Sequence, residues 1–487
     1  MFKQILKLSI GVALILSQEI SAQEKPLHAV KSNGTLVYSK PTKSVENFKD
    51  MFKEGQFYGR LRNNNFYFNW ANEDSSHSTH LVNAVGASLV YKTAKYKGLN
   101  FNLGLYGSKS FFNDSSVPVA NLKAAKDTLS RYNYDRTGST SMAVVGEANI
   151  NYSGFKAIDI TLGRQLFESF YTKSNDTKMI PNTFDGLSTV IKSIPKHKIK
   201  LAYLHKQKLR DHTTSHSVLM YDDSDSANRS NWNANDDSAM HKGLSYTALS
   251  AASKSTDSPL IVAEVTNKSI KNLKVDISSY YVPELLAQVM SEVNYKIEMD
   301  GFSITPGLRY IKQFDHGAGA VGGASLSGLS RTAGYSNPNS LNAQMIAARV
   351  VAKMKQYKIN LAYTNILDEA DLVTPWRGFP TAGYTRSMGI YNWRANTKSY
   401  RLELVKNANK TGVYKNMFIQ TSVLYIDGDE SKDKGKDFVY YYAGFIQNVP
   451  SYEELQWRLR LGYADFIDSD DAKFNYLDSR FELNYLF

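Results

Sequence analysis

The sequence predicts an all-β chain, a transmembrane antiparallel β-barrel of about 18 strands with short turns at one end and long loops at the other. Three observations predict it. The chain opens on an export signal, apolar and polar residues alternate with a period of two in segment after segment, and the last such segment runs to a terminal phenylalanine.

Residues 1–22 come first. Met1 to Lys7 is a short basic head, and the apolar run from Leu8 to Leu16 is too short to cross a bilayer as a helix, which takes about 20 residues. With Ile20-Ser21-Ala22 as the cleavage site, 1–22 is read as a secretory signal peptide. Residues 23–54 are read as a periplasmic segment and 55–487 as the barrel. Within 40–56, Val45, Phe48, Met51 and Phe52 recur at helical spacing, which fits a short amphipathic helix below the barrel or a flexible lead-in.

The alternation is clearest over 98–108, where Leu99, Phe101, Leu103 and Leu105 share one face and Asn100, Asn102 and Gly104 the other. One face suits lipid and the other water. The same reading holds for Leu455, Trp457, Leu459, Leu461 and Tyr463 against Gln456, Arg458 and Arg460. It gives strands over 56–70, 80–91, 98–108, 141–152, 155–164, 186–194, 198–206, 258–267 and 271–281. Nine more follow over 286–299, 301–312, 342–354, 357–366, 395–406, 414–427, 437–448, 454–465 and 474–487. Long polar stretches follow the odd strands and short links such as Ser153-Gly154 and Asp300-Gly301 the even ones; only the link near Pro283 breaks the rule. That asymmetry belongs to outer-membrane barrels.

The final stretch from Arg480 to Phe487 alternates to its end, and Tyr485 with Phe487 resembles the signal that barrel-assembly machinery reads. Composition agrees. Tyr 32 and Phe 23 against Trp 5 supply rings that favour the membrane boundary. Cys 0 excludes a disulfide framework, and the net charge of +12 is scattered along the chain, which argues against nucleic acid. A mean hydropathy of -0.39 with no long apolar run excludes spanning helices but not strands, because only alternate strand residues meet lipid.

Two stretches resemble the OprD-like family of substrate-selective outer-membrane porins. One is 55–70, GQFYGRLRNNNFYFNW; the other is 162–186, ending Ile180-Pro181-Asn182-Thr183-Phe184-Asp185-Gly186. The stretch 360–386, with Trp376-Arg377-Gly378-Phe379-Pro380, is similar to a variant branch. The resemblance implies an 18-stranded barrel whose third and seventh loops fold inward, with a ladder of arginines down one wall. By strand count those loops are 165–185 and 367–394. There Glu168, Asp176, Asp185, Asp368, Glu369 and Asp371 are the candidate acidic side of a constriction, with Lys178 and Arg377 among them.

The arginines assigned to the lumen are Arg60, Arg62, Arg164, Arg309, Arg349, Arg401, Arg458, Arg460 and Arg480. A guanidinium facing lipid at the midplane costs about 2–4 kcal/mol, so the wet interior is where such residues belong. They grip carboxylates in a two-pronged way, which suits small hydrophilic solutes bearing a carboxylate or zwitterionic charge. Glu147, Asp159, Glu292, Glu403 and Glu482 also fall inward and neutralise part of the ladder.

Two other classes compete with a passive pore. A barrel hydrolase would draw on His212, His216 and Ser217 in the long loop 207–257, and a surface adhesin would need a blocked lumen. No motif ties a nucleophile to a base. Asp222, Asp223 and Asp225 lack calcium-loop spacing, so neither metal nor cofactor is expected. The partners expected are outer-membrane lipid and lipopolysaccharide, the assembly machinery and the solute, for a chain that is a monomer or a trimer.

Overall fold

Alternation over 8 to 15 residues at a time gives each segment one face for hydrocarbon and one for water, and closure satisfies every strand edge. The computed structural model describes residues 41–113, 118–174, 178–219, 237, 239–407, 415–468 and 470–487, with 28–30 and 36–38 as backbone only. Residues 1–22, Asp176, Asp222, Asp223 and Asp225 lie outside the described residues.

The staves are β1 (Gln56–Trp70), β2 (His80–Lys92), β3 (Leu99–Phe112), β4 (Ser141–Tyr152), β5 (Ile158–Gln165) and β6 (Thr183–Ile191). They continue with β7 (His197–Lys208), β8 (Leu260–Asn267), β9 (Leu273–Val282), β10 (Leu286–Tyr295, prolonged by Ile297–Met299), β11 (Phe302–Asp315) and β12 (Ala343–Met354). The last six are β13 (Tyr357–Ile366), β14 (Thr397–Lys406), β15 (Met417–Asp427), β16 (Phe438–Val449), β17 (Tyr452–Phe466) and β18 (Tyr476–Leu486). Each pairs antiparallel with the next, and β18 returns to β1, so the barrel has the 18 staves expected.

The faces also follow the expectation. On β3, Leu103 and Leu105 are 46% and 47% exposed while Tyr106 and Ser108 are buried. Parity changes at one point that simple alternation misses: a bulge opposite Gly104/Leu105 lets Met142 and Val144 share the inner face of β4 with Glu147 and Asn149. The long connections are 113–140, 166–182, 209–259, 316–342 and 367–396, and the link between Val282 and Leu286 is short, as the sequence indicated. No helix among the described residues is long and apolar enough to cross a membrane.

The seam closes on the chain terminus. Gly59 donates to the Phe487 carbonyl at 2.9 Å and Phe487 donates back at 3.2 Å, while the Phe487 ring occupies the space a β-carbon at position 59 would need. Tyr485 faces outward opposite Leu61. Deleting Phe487 removes both hydrogen bonds, each worth about 1 kcal/mol net. The expected result is a lower urea midpoint for unfolding from liposomes, by roughly 2 kcal/mol in stability.

A six-residue helix, α1 (Phe48–Lys53), precedes the barrel at the end carrying the short turns, capped by Asn47. Inside the barrel, the side bounded by β6 to β13 is filled. Tyr171, Tyr280, Trp376 and Trp393 are fully buried there in one apolar cluster formed by the wall and the long loops. The Tyr280 hydroxyl donates to the Val373 carbonyl at 2.6 Å, and its ring meets Tyr171 at 4.8 Å and Trp376 at 4.7 Å. The wall opposite carries polar and basic side chains that are buried in turn, Arg60, Arg62, Arg458 and Arg480 among them.

Candidate functional site

That wall is made by β17, β18 and β1, where arginine recurs among the residues with inward parity. Pairing sets the rungs: Gln456, Asn484 and Arg62 share one, Arg458, Glu482 and Asn64 the next, and Arg460, Arg480 and Phe66 the third. Arg60 follows opposite Leu486. Five arginines therefore stand on three adjacent strands. Two carboxylates lie among them: Arg480 Nη2 is 2.6 Å from Asp478, and Arg460 pairs with Glu482. Phe66 and Phe68 lie beneath the Arg480 guanidinium at 5.6 and 5.7 Å. Acidic residues collect across the lumen, Glu147 on β4, Glu264 on β8, Asp276 on β9 and Glu292 on β10. Three of these acids are paired on their own wall, Glu264 with Lys200 at 2.6 Å, Asp276 with Lys274 at 2.6 Å, and Glu292 with Arg309 and Arg349.

Arg309, Arg349 and Arg401 form a second group with a different task. Arg309 and Arg349 both reach Glu292, the latter at 2.9 Å, and Arg401 meets Glu403 at 2.6 Å. Their remaining N–H groups donate to carbonyls of the seventh loop, at Pro380 (2.7 Å), Gly383 (2.8 Å) and Tyr384 (3.4 Å). These three fasten the loop to the wall.

The seventh loop crosses the lumen from there to β18, where Gly389 approaches Arg480. The third loop meets it. Thr172 bridges Arg377, Lys173 donates to the Trp376 carbonyl at 2.9 Å, and Gly378 donates to the Tyr171 carbonyl at 2.9 Å. A side chain at 378 would collide with the Phe170 and Tyr171 carbonyls, so glycine is required at that crossing. Buried ion pairs lock the junction: Asp127 takes Lys178 at 2.6 Å and Arg210 at 2.7 Å, while Asp237 takes Arg210 at 2.9 Å and Arg377 at 3.3 Å. The second, third, fourth and seventh loops thus share one charge network. Lys178 also turns its carbonyl to Arg62, which ties the network to the arginine wall.

The closed barrel of 18 antiparallel staves matches solved structures over about 90% of the chain. The chain has the fold of the OprD/Occ porins. OccK8 (OprE) of Pseudomonas aeruginosa superimposes with a TM-score of 0.67 at 12% identity, over 90% of this chain and 99% of its own. OccAB1 of Acinetobacter baumannii gives 0.66 at 14%, over 90% and 98%. OpdK of P. aeruginosa, solved with vanillate, gives 0.65 at 11%, over 90% and 99%. No protein-family model and no curated protein sequence matches.

Within this porin fold several expected site residues stand elsewhere. Arg164 shares a face with exposed Leu162, because alternation from Ile158 and Ile160 carries it outward rather than into the lumen. It holds Asp185 in a two-pronged pair at 2.7 and 2.9 Å and reaches Ser215 of the fourth loop. Asp185, placed by the sequence in the third loop, belongs to β6 and is committed to that pair. Asp368 and Glu369 lie at the rim, against Lys432 at 2.8 Å and Lys312 at 3.9 Å, rather than at the constriction. Asp371 is fully buried and accepts from Leu326 N, Ala395 N and the Tyr335 hydroxyl, knitting the sixth loop to the seventh. Glu168 caps the third loop by accepting from Ser174 N.

Sequence reasoning missed Lys126, Asp127, Arg210 and Asp237, since nothing local marks a loop residue whose partner sits on another loop. The histidines of the fourth loop pack together, rings 4.7 Å apart, and the acid beside them, Asp211, is held by Arg131 at 3.0 Å. His216 meets the Ser217 backbone carbonyl rather than its hydroxyl.

The junction is built to titrate near neutrality. Burial pushes the Lys178 ammonium down to about 7; Asp127 opposes the shift and Arg480 and Arg210 reinforce it. Burial alone would raise the Tyr391 phenol, but Arg377 and Lys126 outweigh it and hold it at about 7. As pH rises through 7 one group loses positive charge and the other gains negative charge. The loop junction is therefore expected to grow more negative from pH 6 to pH 8, readable as a reversal potential that shifts toward cation permeation. Lys178→Met with Tyr391→Phe flattens that profile.

Proposed function

We propose that the chain is an integral outer-membrane porin for passive diffusion of small hydrophilic solutes, favouring those with a carboxylate, including zwitterions. The observation that carries the reading is the contiguous group of Arg60, Arg62, Arg458, Arg460 and Arg480 on the wall facing the joined loops. Guanidinium groups stay charged and offer a carboxylate paired donors. Successive arginines give an anion several weak sites, favourable enough to enter and shallow enough to leave.

Liposome swelling tests the preference. Vesicles containing the protein should swell faster in small carboxylates and amino acids than in amines of equal size, by roughly fivefold, the scale that about 1 kcal/mol of barrier difference sets. Equal rates for the two charge classes would remove the preference but keep the pore; no swelling in any solute would remove the pore.

A further inference from the structure

We infer that α1 is an interfacial anchor, lying in the phospholipid headgroup boundary of the leaflet at the short-turn end of the barrel. Phe48 and Phe52, one helical turn apart, are 58% and 46% exposed, while Met51 between them is buried. Two adjacent phenylalanines so open to solvent need a cover. The barrel's own lipid-facing surface continues directly into them. Phe52 stacks beside outward-facing Phe101 of β3 at 6.3 Å, Phe48 meets Tyr96 at 6.1 Å, and Phe57 on β1, 63% exposed, meets Tyr91 at 4.5 Å.

A six-residue helix does not hold itself together in water. This one is fixed to the strands: the Tyr91 hydroxyl donates to the Phe52 carbonyl at 2.6 Å, Ala94 N to the Met51 carbonyl at 2.9 Å, and Lys95 N to the Lys43 carbonyl at 2.7 Å. The aromatic face is therefore held in line with the apolar belt. Exposed Lys49 and Lys53 stand on the remaining faces of the same turn, where ammonium groups reach headgroup phosphates while the stems stay in the boundary. Rings at the boundary and lysines beside them identify a phospholipid surface as the partner, in preference to a periplasmic protein or a second copy. The inference rests on the barrel belt lying in a bilayer.

The absence of cysteine makes the test clean. Phe48→Cys, Phe52→Cys, Lys49→Cys and, on the belt, Leu105→Cys are each nitroxide-labelled in the full barrel in phosphatidylethanolamine/phosphatidylglycerol vesicles. Accessibility to oxygen and to a water-soluble nickel complex is then compared. Positions 48 and 52 should show an oxygen-to-nickel ratio about fivefold above position 49 and below that of 105. Ratios at 48 and 52 equal to that at 49, with 105 in lipid, overturn the anchor; 105 reading as water overturns the membrane belt and the anchor with it. If labels at 48 and 52 prevent insertion, Phe48→Trp and Phe52→Trp with brominated phospholipid replace them. Added quenching beyond that of the parent chain supports the anchor, and none overturns it.

Discussion

Changing Arg60, Arg62 and Arg458 together to Gln is expected to lower the anion-to-cation permeability ratio roughly tenfold while leaving the barrel folded. A unit charge about 8 Å from a permeating ion in a water-filled lumen contributes roughly 0.5 kcal/mol. Three such charges on adjacent strands sum to about 1.5 kcal/mol for the anion alone, slightly more than a factor of ten. Arg460 and Arg480 are spared because they hold Glu482 and Asp478, and removing one partner of a buried pair costs about 3–5 kcal/mol. Gln removes the charge while keeping a polar side chain, shorter and with two N–H donors in place of five, so the Arg62 donation to the Lys178 carbonyl goes with it. Bi-ionic reversal potentials of the variant and the parent measure the ratio. An unchanged ratio would reduce the wall to scaffolding.

The second large effect belongs to the crossing of the third and seventh loops. Gly378→Val places two methyl groups against the Phe170 and Tyr171 carbonyls, where even a β-carbon has no room. The Gly378 to Tyr171 hydrogen bond and the Lys173 to Trp376 bond are then lost together, because both belong to one short ladder. The Asp127 and Asp237 ion pairs would remain on the second and fourth loops, but Lys178 and Arg377 would no longer be held at one distance. Single-channel conductance should rise about twofold, with added open-state noise as the loops fluctuate on the microsecond to millisecond scale typical of such segments. Thermal unfolding of the barrel should change little, since the staves are intact. Conductance equal to that of the parent would mean that this junction does not define the narrowest section.

Strands were legible because a membrane wall imposes the same constraint at every second residue. Leu103 and Leu105 point to lipid and Arg458 and Arg460 to the lumen for one reason, and a period of two shows it without any neighbour in view. The terminal Phe487 was legible as the end of that pattern. Its exchange of hydrogen bonds with Gly59 shows what the ending does for the seam.

The loops were legible only in their lengths. Asp185, Asp368 and Glu369 looked like constriction acids because they are acidic and lie in or beside the right loops, yet each is held at the outer rim by a basic partner that the chain order does not reveal. Nothing in the sequence singles out Asp127 and Asp237 within their polar stretches. Their burial depends on Arg210 bridging the two, with Lys178 and Arg377 arriving from the third and seventh loops. Arg164 shows a simpler failure. Charge sent it to the lumen, while the parity set by Ile158 and Leu162 sends it outward, where the rim and Asp185 accommodate it.

The most direct measurement is the zero-current potential of the unmodified protein in a planar bilayer under a tenfold potassium chloride gradient at pH 6. A charged, water-filled lumen walled by arginines predicts stepwise ohmic channels whose reversal potential takes the sign of chloride permeation and shrinks at 1 M salt as screening sets in. Steady channels that reverse with the sign of potassium permeation, or no channels from correctly folded protein, would contradict it.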